Sequence, residues 1–130
     1  MLELIINLQL RQMCVVPVQA QQPPVACYPI AVGKSPELTP KGKFTIDRVV
    51  KDPSFVSCRT GKNYGKGFLG DFAFVTNRET SPGCSFAIHG TNREDLIGLP
   101  VSEGCARAKN RDINHIEQNF LPYLTGGYVK

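Results

Sequence analysis

The chain has 130 residues, a formal net charge of +4 and 42% hydrophobic residues. That apolar content excludes a disordered chain, and the length gives room for one domain over residues 1–130. The basic surplus is mild and scattered, so it leaves no nucleic-acid footprint, and no apolar run approaches the ~18 residues that span a bilayer.

Leu4, Ile6, Leu8 and Leu10 alternate with Ile5, Asn7 and Gln9, the period-two pattern of a strand with one buried face. The same N-terminal stretch does not read as a signal peptide. It lacks a basic start, and Glu3, Asn7 and Gln9 interrupt its apolar run. A second apolar run, Cys14 to Val18, leads into a polar turn from Gln19 to Pro24. Ala26, Tyr28, Ile30 and Val32 alternate as far as Gly33. Ser35 to Gly42 is a loop, and Phe44 and Ile46 begin the next strand. Lys51 to Gly70 reads as a long Gly-rich loop of the kind that lines a site. Phe72–Val75 and Phe86–Ile88 are two central strands, separated by a turn at Ser81-Pro82-Gly83. Ile113, Ile116, Phe120 and Leu124 repeat at helical spacing. Asn110 or Asp112 caps that helix and Pro122 ends it, leaving Gly126–Lys130 as a last short strand. The expected fold is mainly β and rich in antiparallel pairs, a sandwich with one helix.

The five cysteines, Cys14, Cys27, Cys58, Cys84 and Cys105, are odd in number, so a monomer keeps at least one free thiol. Cys58 and Cys84 can pair in an oxidising compartment or stay reduced. No cluster of His, Cys and carboxylates has metal spacing, and no Gly-rich phosphate loop follows a strand, so neither a metal nor another cofactor is expected.

The strongest local feature is Ile88-His89-Gly90-Thr91-Asn92 followed by Val101-Ser102-Glu103-Gly104-Cys105-Ala106-Arg107. A protonated thiol needs a base or a positive field to act as a nucleophile, and His89 can be that base. Gly104 lets the backbone approach a substrate closely, and its N–H with that of Cys105 can form an oxyanion hole. Arg107 can hold a carboxylate. Residues read as bystanders are His115, solvated on the exposed side of the helix, and the loop Lys62–Gly67.

Taken together, His89-Gly90-Thr91, Ile97-Gly98, Ser102-x-Gly104-Cys105-x-Arg107 and Asn110-x-Asp112 resemble the L,D-transpeptidase (YkuD) catalytic domain. Upstream, Tyr28-Pro-Ile-Ala-Val-Gly-Lys34, Thr39-Pro-Lys-Gly-Lys-Phe44 and Leu69-Gly70 agree, so the likeness runs from about Leu4 to Val129. The resemblance implies an L,D-transpeptidase-like β-sandwich with mixed sheets and a short helix near the C-terminus. It implies extracytoplasmic work, in the periplasm or cell wall, on peptidoglycan stem peptides as donor and acceptor. Cys105 is then the nucleophile, His89 the base, the Gly90 carbonyl the group that orients the ring, and Gly104 with Cys105 the oxyanion donors. Arg107, Ser102 and Glu103 fall at substrate-binding positions, Tyr28 has no assigned role, and carbapenem-type β-lactams are the expected covalent inhibitors. The implied product is a 3→3 cross-link or a related acyl transfer. Transfer to water would make the protein an L,D-carboxypeptidase. Ala106 and Ala108 stand where the family usually has larger residues, and one departure matters more: Glu103 stands where a histidine is usual. A carboxylate beside the nucleophile disfavours the thiolate unless Arg107 offsets it or Glu103 faces a cationic group of the substrate, which opens the alternative of a catalytically impaired, peptidoglycan-binding homologue.

Overall fold

The computed structural model describes residues 1–19 and 22–130. The expected polar turn from Gln19 to Pro24 runs through Ala20 and Gln21, which lie outside the described residues.

Strands β1 (Leu2–Asn7) and β2 (Gln12–Pro17) form an antiparallel hairpin in which Leu4 faces Val15 and Ile6 faces Met13. All four are fully buried. The alternation that continues to Leu10 in the sequence stops at Asn7. Its side-chain oxygen accepts the Leu10 N–H at 2.9 Å, a local bond that competes with further strand, and Arg11 closes the turn at φ 53°. Next come β3 (Ala26–Gly33) and β4 (Gly42–Lys51), as the sequence suggests.

The stretch from Lys51 to Gly70 is not a plain loop. It holds a two-stranded ribbon, β5 (Ser54–Val56) and β6 (Asn63–Lys66), built around the stacked rings of Phe55, Tyr64 and Phe68. The Cys58–Cys84 disulfide ties this ribbon to the start of β8. Strands β7 (Phe72–Ser81) and β8 (Cys84–His89) flank the expected turn, followed by the short β9 (Pro100–Ser102) and β10 (Ala106–Ala108).

Helix α1 spans Asn110–Asn119, and β11 is Leu124–Val129. Neither Asn110 nor Asp112 is the cap. Lys109 holds the cap position without a side-chain bond, and the Asn110 N–H is met instead by the Glu94 carboxylate at 2.9 Å. An acidic group there also suits the positive end of the helix dipole. Pro122 cannot continue a helix, so the chain turns at Leu121–Tyr123. Leu124 therefore opens the last strand rather than closing the helical stripe.

The strands close on themselves. The order β3-β2-β1-β11-β4-β7-β8-β10 returns to β3, with β9 beside β3. Pairs β1–β11, β3–β9 and β8–β10 are parallel and the rest antiparallel, so the sheet is mixed as expected. The sandwich expectation holds in this closed, barrel-like form. Phe44, Phe74 and Phe86 fill its interior with Ile30 and Ile88, and Ile113 and Ile116 of the helix complete the same cluster. Phe44 and Phe86 meet edge to face at 5.7 Å. A second disulfide, Cys14–Cys27, joins residues directly opposite in the β2–β3 ladder, with Cα atoms 4.0 Å apart.

Candidate active site

The parallel register of β8 and β10 assembles the site. Ala106 lies beside Ile88 and Arg107 beside His89. Because side chains alternate along a strand, Ile88, Ala106 and Ala108 point into the core while His89 and Arg107 share the opposite face. One step before the strand, Cys105 falls on that same face, and its thiol donates toward the Ser85 carbonyl at 3.7 Å. Cys105, His89 and Arg107 thus line one cavity of about 550 Å³, whose far wall is the ribbon with Phe55, Tyr64 and Phe68. Cys105 is the free cysteine, the other four being paired.

His89 is buried, and its Nδ1 stands 2.5 Å from the Gly90 carbonyl oxygen. A carbonyl only accepts, so Nδ1 carries the proton and Nε2 keeps a free lone pair. Burial pushes the imidazole pKa down to about 4, the Gly90 bond works against that, and the Arg107 cation adds to it. Burial pushes the Cys105 thiol up. A backbone bond at Ala87 and the Arg107 charge oppose this and are outweighed. The resting pair at neutral pH is therefore thiol and imidazole, not thiolate and imidazolium. Gly90 has no room for a side chain: a Cβ there would lie 2.2 Å from Asn110 Oδ1 and 3.1 Å from the Gly70 Cα.

The turn before the thiol is tightly made. Gly104 sits at φ 130°, a conformation that glycine alone adopts without strain, and a Cβ there would come 2.4 Å from the Leu38 carbonyl. Ser102, 1% exposed, accepts the Gly104 N–H at 3.1 Å and donates to the Cys105 carbonyl at 2.7 Å. Its hydroxyl is thus engaged within the turn. The Gly104 N–H, expected as one of two oxyanion donors, is turned to Ser102 in this conformation.

Glu103 also lines the cavity. Its carboxylate receives Lys34 Nζ at 3.0 Å and Arg59 Nη1 at 2.6 Å, joining the end of β3 to the ribbon. Lys34 first, then Arg59, holds its carboxyl below the usual carboxylate range. The repulsion expected from sequence is therefore met by two cations of the protein itself. Glu103→Gln is expected to shift the pH midpoint of Cys105 alkylation by a few tenths of a unit at most. A shift of about one unit or more in iodoacetamide rates against pH would show that the charge reaches the thiol after all.

Sequence reasoning gave no role to Arg59 and the three ribbon rings, which the folded ribbon brings to the cavity, or to Lys34, which reaches Glu103 from the end of β3. Tyr28 is outside the cavity. Its hydroxyl bonds His115 Nδ1 at 2.8 Å, so His115 is exposed but engaged rather than merely solvated. Lys62 lies over the Tyr64 ring at 4.9 Å. Among the described residues no three His, Cys, Asp or Glu side chains converge as a metal site would need.

A closed mixed β-sheet thus sets a free cysteine and a Nδ1-tethered histidine in one cavity. The L,D-transpeptidase catalytic domain (YkuD) matches residues 3–122, and the chain belongs to that family. It is 31% identical over 93 residues to YqjB of Bacillus subtilis (strain 168), an L,D-transpeptidase homologue by its name. It is 33% identical over 105 residues to "Probable L,D-transpeptidase ErfK/SrfK" of Escherichia coli (strain K12). These alignments cover 72% and 73% of the chain but 53% and 34% of the relatives, so the chain spans about half or less of their length. Among solved structures, an Enterococcus faecium L,D-transpeptidase superposes with a TM-score of 0.73 at 15% identity, covering 99% of this chain and 49% of that one. L,D-transpeptidase 3 from Mycobacterium tuberculosis, solved with a faropenem-derived adduct, gives 0.67 at 14% identity, covering 99% and 60%. At these identities the likeness establishes the fold.

Proposed function

We propose that the protein is a cysteine-dependent L,D-transpeptidase that acts on peptidoglycan stem peptides through a thioester acyl-enzyme. The observation that carries this reading is the register of β8 and β10, which puts Cys105, His89 and Arg107 on one face of one cavity. The Cys105 sulfur attacks the carbonyl of the third stem residue while its proton passes to His89 Nε2. Both groups start neutral, so this transfer accompanies attack rather than preceding it. The oxyanion is met by the Cys105 N–H. The intermediate then expels the amine of the fourth residue, which takes the proton back from His89. The amine of a second stem gives its proton to His89, attacks the thioester and releases the thiol, leaving a 3→3 cross-link.

Arg107 stands beside His89 as the cation for a substrate carboxylate, and the ribbon rings give the cavity an apolar wall. Two disulfides favour an oxidising setting outside the cytoplasm. Among the described residues no helix is long and apolar enough to cross a membrane. The test is covalent labelling by a carbapenem, whose strained ring carbonyl stands in for the attacked amide. Intact-mass and peptide mapping should place one adduct on Cys105. An unlabelled Cys105 after long incubation would favour the non-catalytic homologue.

A further inference from the structure

The buried side of the Ser102–Cys105 turn carries one bond that the chemistry above does not use. Thr39, 4% exposed, donates its hydroxyl to the Gly104 carbonyl oxygen at 2.6 Å, across 65 residues of sequence. That carbonyl and the Cys105 N–H are the two ends of one planar trans peptide and point in opposite directions. Fixing the oxygen in the interior therefore fixes the direction of the N–H. A bond accepted at the oxygen also polarises the amide and strengthens its N–H as a donor.

The support for this contact is rigid. Thr39 is extended, at φ −109° and ψ 127°, as a residue before Pro40 is biased to be. Its neighbour Leu38 packs so closely on Gly104 that no Cβ fits between them, and the Thr80 side chain closes the other side at 2.8 Å from that position. Because the Gly104 N–H is taken by Ser102, the Cys105 N–H is the donor whose aim decides how the oxyanion is held.

We propose that Thr39 is a positioning residue of the oxyanion site, acting through the Gly104–Cys105 peptide to aim and strengthen the Cys105 N–H. The proposal rests on the reading of Cys105 as an acylated nucleophile.

The test compares two reactions of the same sulfur. Acyl transfer from p-nitrophenyl acetate passes through an oxyanion, whereas displacement on iodoacetamide does not. Thr39→Val removes the hydroxyl and keeps the shape, and Thr39→Ser keeps the hydroxyl. Thr39→Val is expected to slow acylation about tenfold, less than loss of a direct oxyanion donor. Its iodoacetamide rate should stay within roughly twofold of the parent, and Thr39→Ser should recover most of the acylation rate. If the valine variant does not fold, Thr39→Ala is read in the same way. Equal acylation rates in parent and variant would overturn the proposal, as would an equal loss in both reactions, which marks a collapsed turn. A parent protein acylated by the ester but not by a stem tetrapeptide would instead sink the substrate reading. The Thr39 comparison would still stand on the ester rates.

Discussion

Cys105→Ala is expected to abolish acyl transfer to any acceptor, by about a thousandfold or more, with the fold unchanged. The neighbours of Cys105 cannot replace its sulfur. Ser85 presents only a backbone carbonyl to it, and the buried His89 ring is tethered through Nδ1 to the Gly90 carbonyl. The alanine fits the existing backbone, because Cys105 makes neither of the disulfides. Stem-peptide turnover and a thermal melt check both halves. Turnover near that of the parent would refute the assignment of the nucleophile.

The second large effect is in stability against pH. His89 is pushed down to about 4 by burial, from 6.5, so folding expels a proton wherever the unfolded chain holds one. Stability should be flat above about pH 6.5 and fall as pH drops toward 4, because the unfolded state binds the extra proton there. The loss from this residue is about 3 kcal/mol at pH 4. Urea unfolding of the oxidised protein at pH 7.5, 5.5 and 4.2 measures the total slope, and His89→Gln removes this residue's part of it. Parallel curves for the two proteins would mean that His89 titrates alike in the folded and unfolded chain, with no depression by burial. The same depression keeps the imidazole neutral through mildly acid conditions, so acylation should persist well below pH 6.5 before it falls.

Much of the fold was legible because buried strands alternate. Leu4 and Ile6, Tyr28 and Ile30, and Phe86 and Ile88 each announce which face turns inward, and the structure buries those faces. What alternation does not carry is register. Cys14 and Cys27 give no sign in the sequence that they stand opposite each other, and their disulfide follows only from the β2–β3 pairing. The ribbon within 51–70 was hidden for a different reason. Its order comes from three stacked rings and a disulfide to Cys84 outside the segment, not from a periodic apolar face.

The site divides in the same way. His89, Gly104, Cys105 and Arg107 lie in two short runs whose residue types already suggest their chemistry. For Glu103 the sequence offered Arg107 or a cation of the substrate as the offset to its charge, and the cations that meet it in the fold are others. Lys34 and Arg59 reach it from elements 69 and 44 residues away. Thr39 sits in a quoted motif, yet its partner, one carbonyl on a distant turn, becomes visible only in three dimensions.

The most direct test of a stem-peptide acyl-enzyme on Cys105 is intact-mass spectrometry of the protein mixed with a tetrapeptide stem as donor. The account predicts a transient tripeptide thioester on the Cys105 peptide, with release of the terminal D-amino acid. Adding a second stem should clear the adduct into a 3→3 cross-linked product. A Cys105 that reacts with iodoacetamide yet never carries the tripeptide, with the donor left intact, would contradict it.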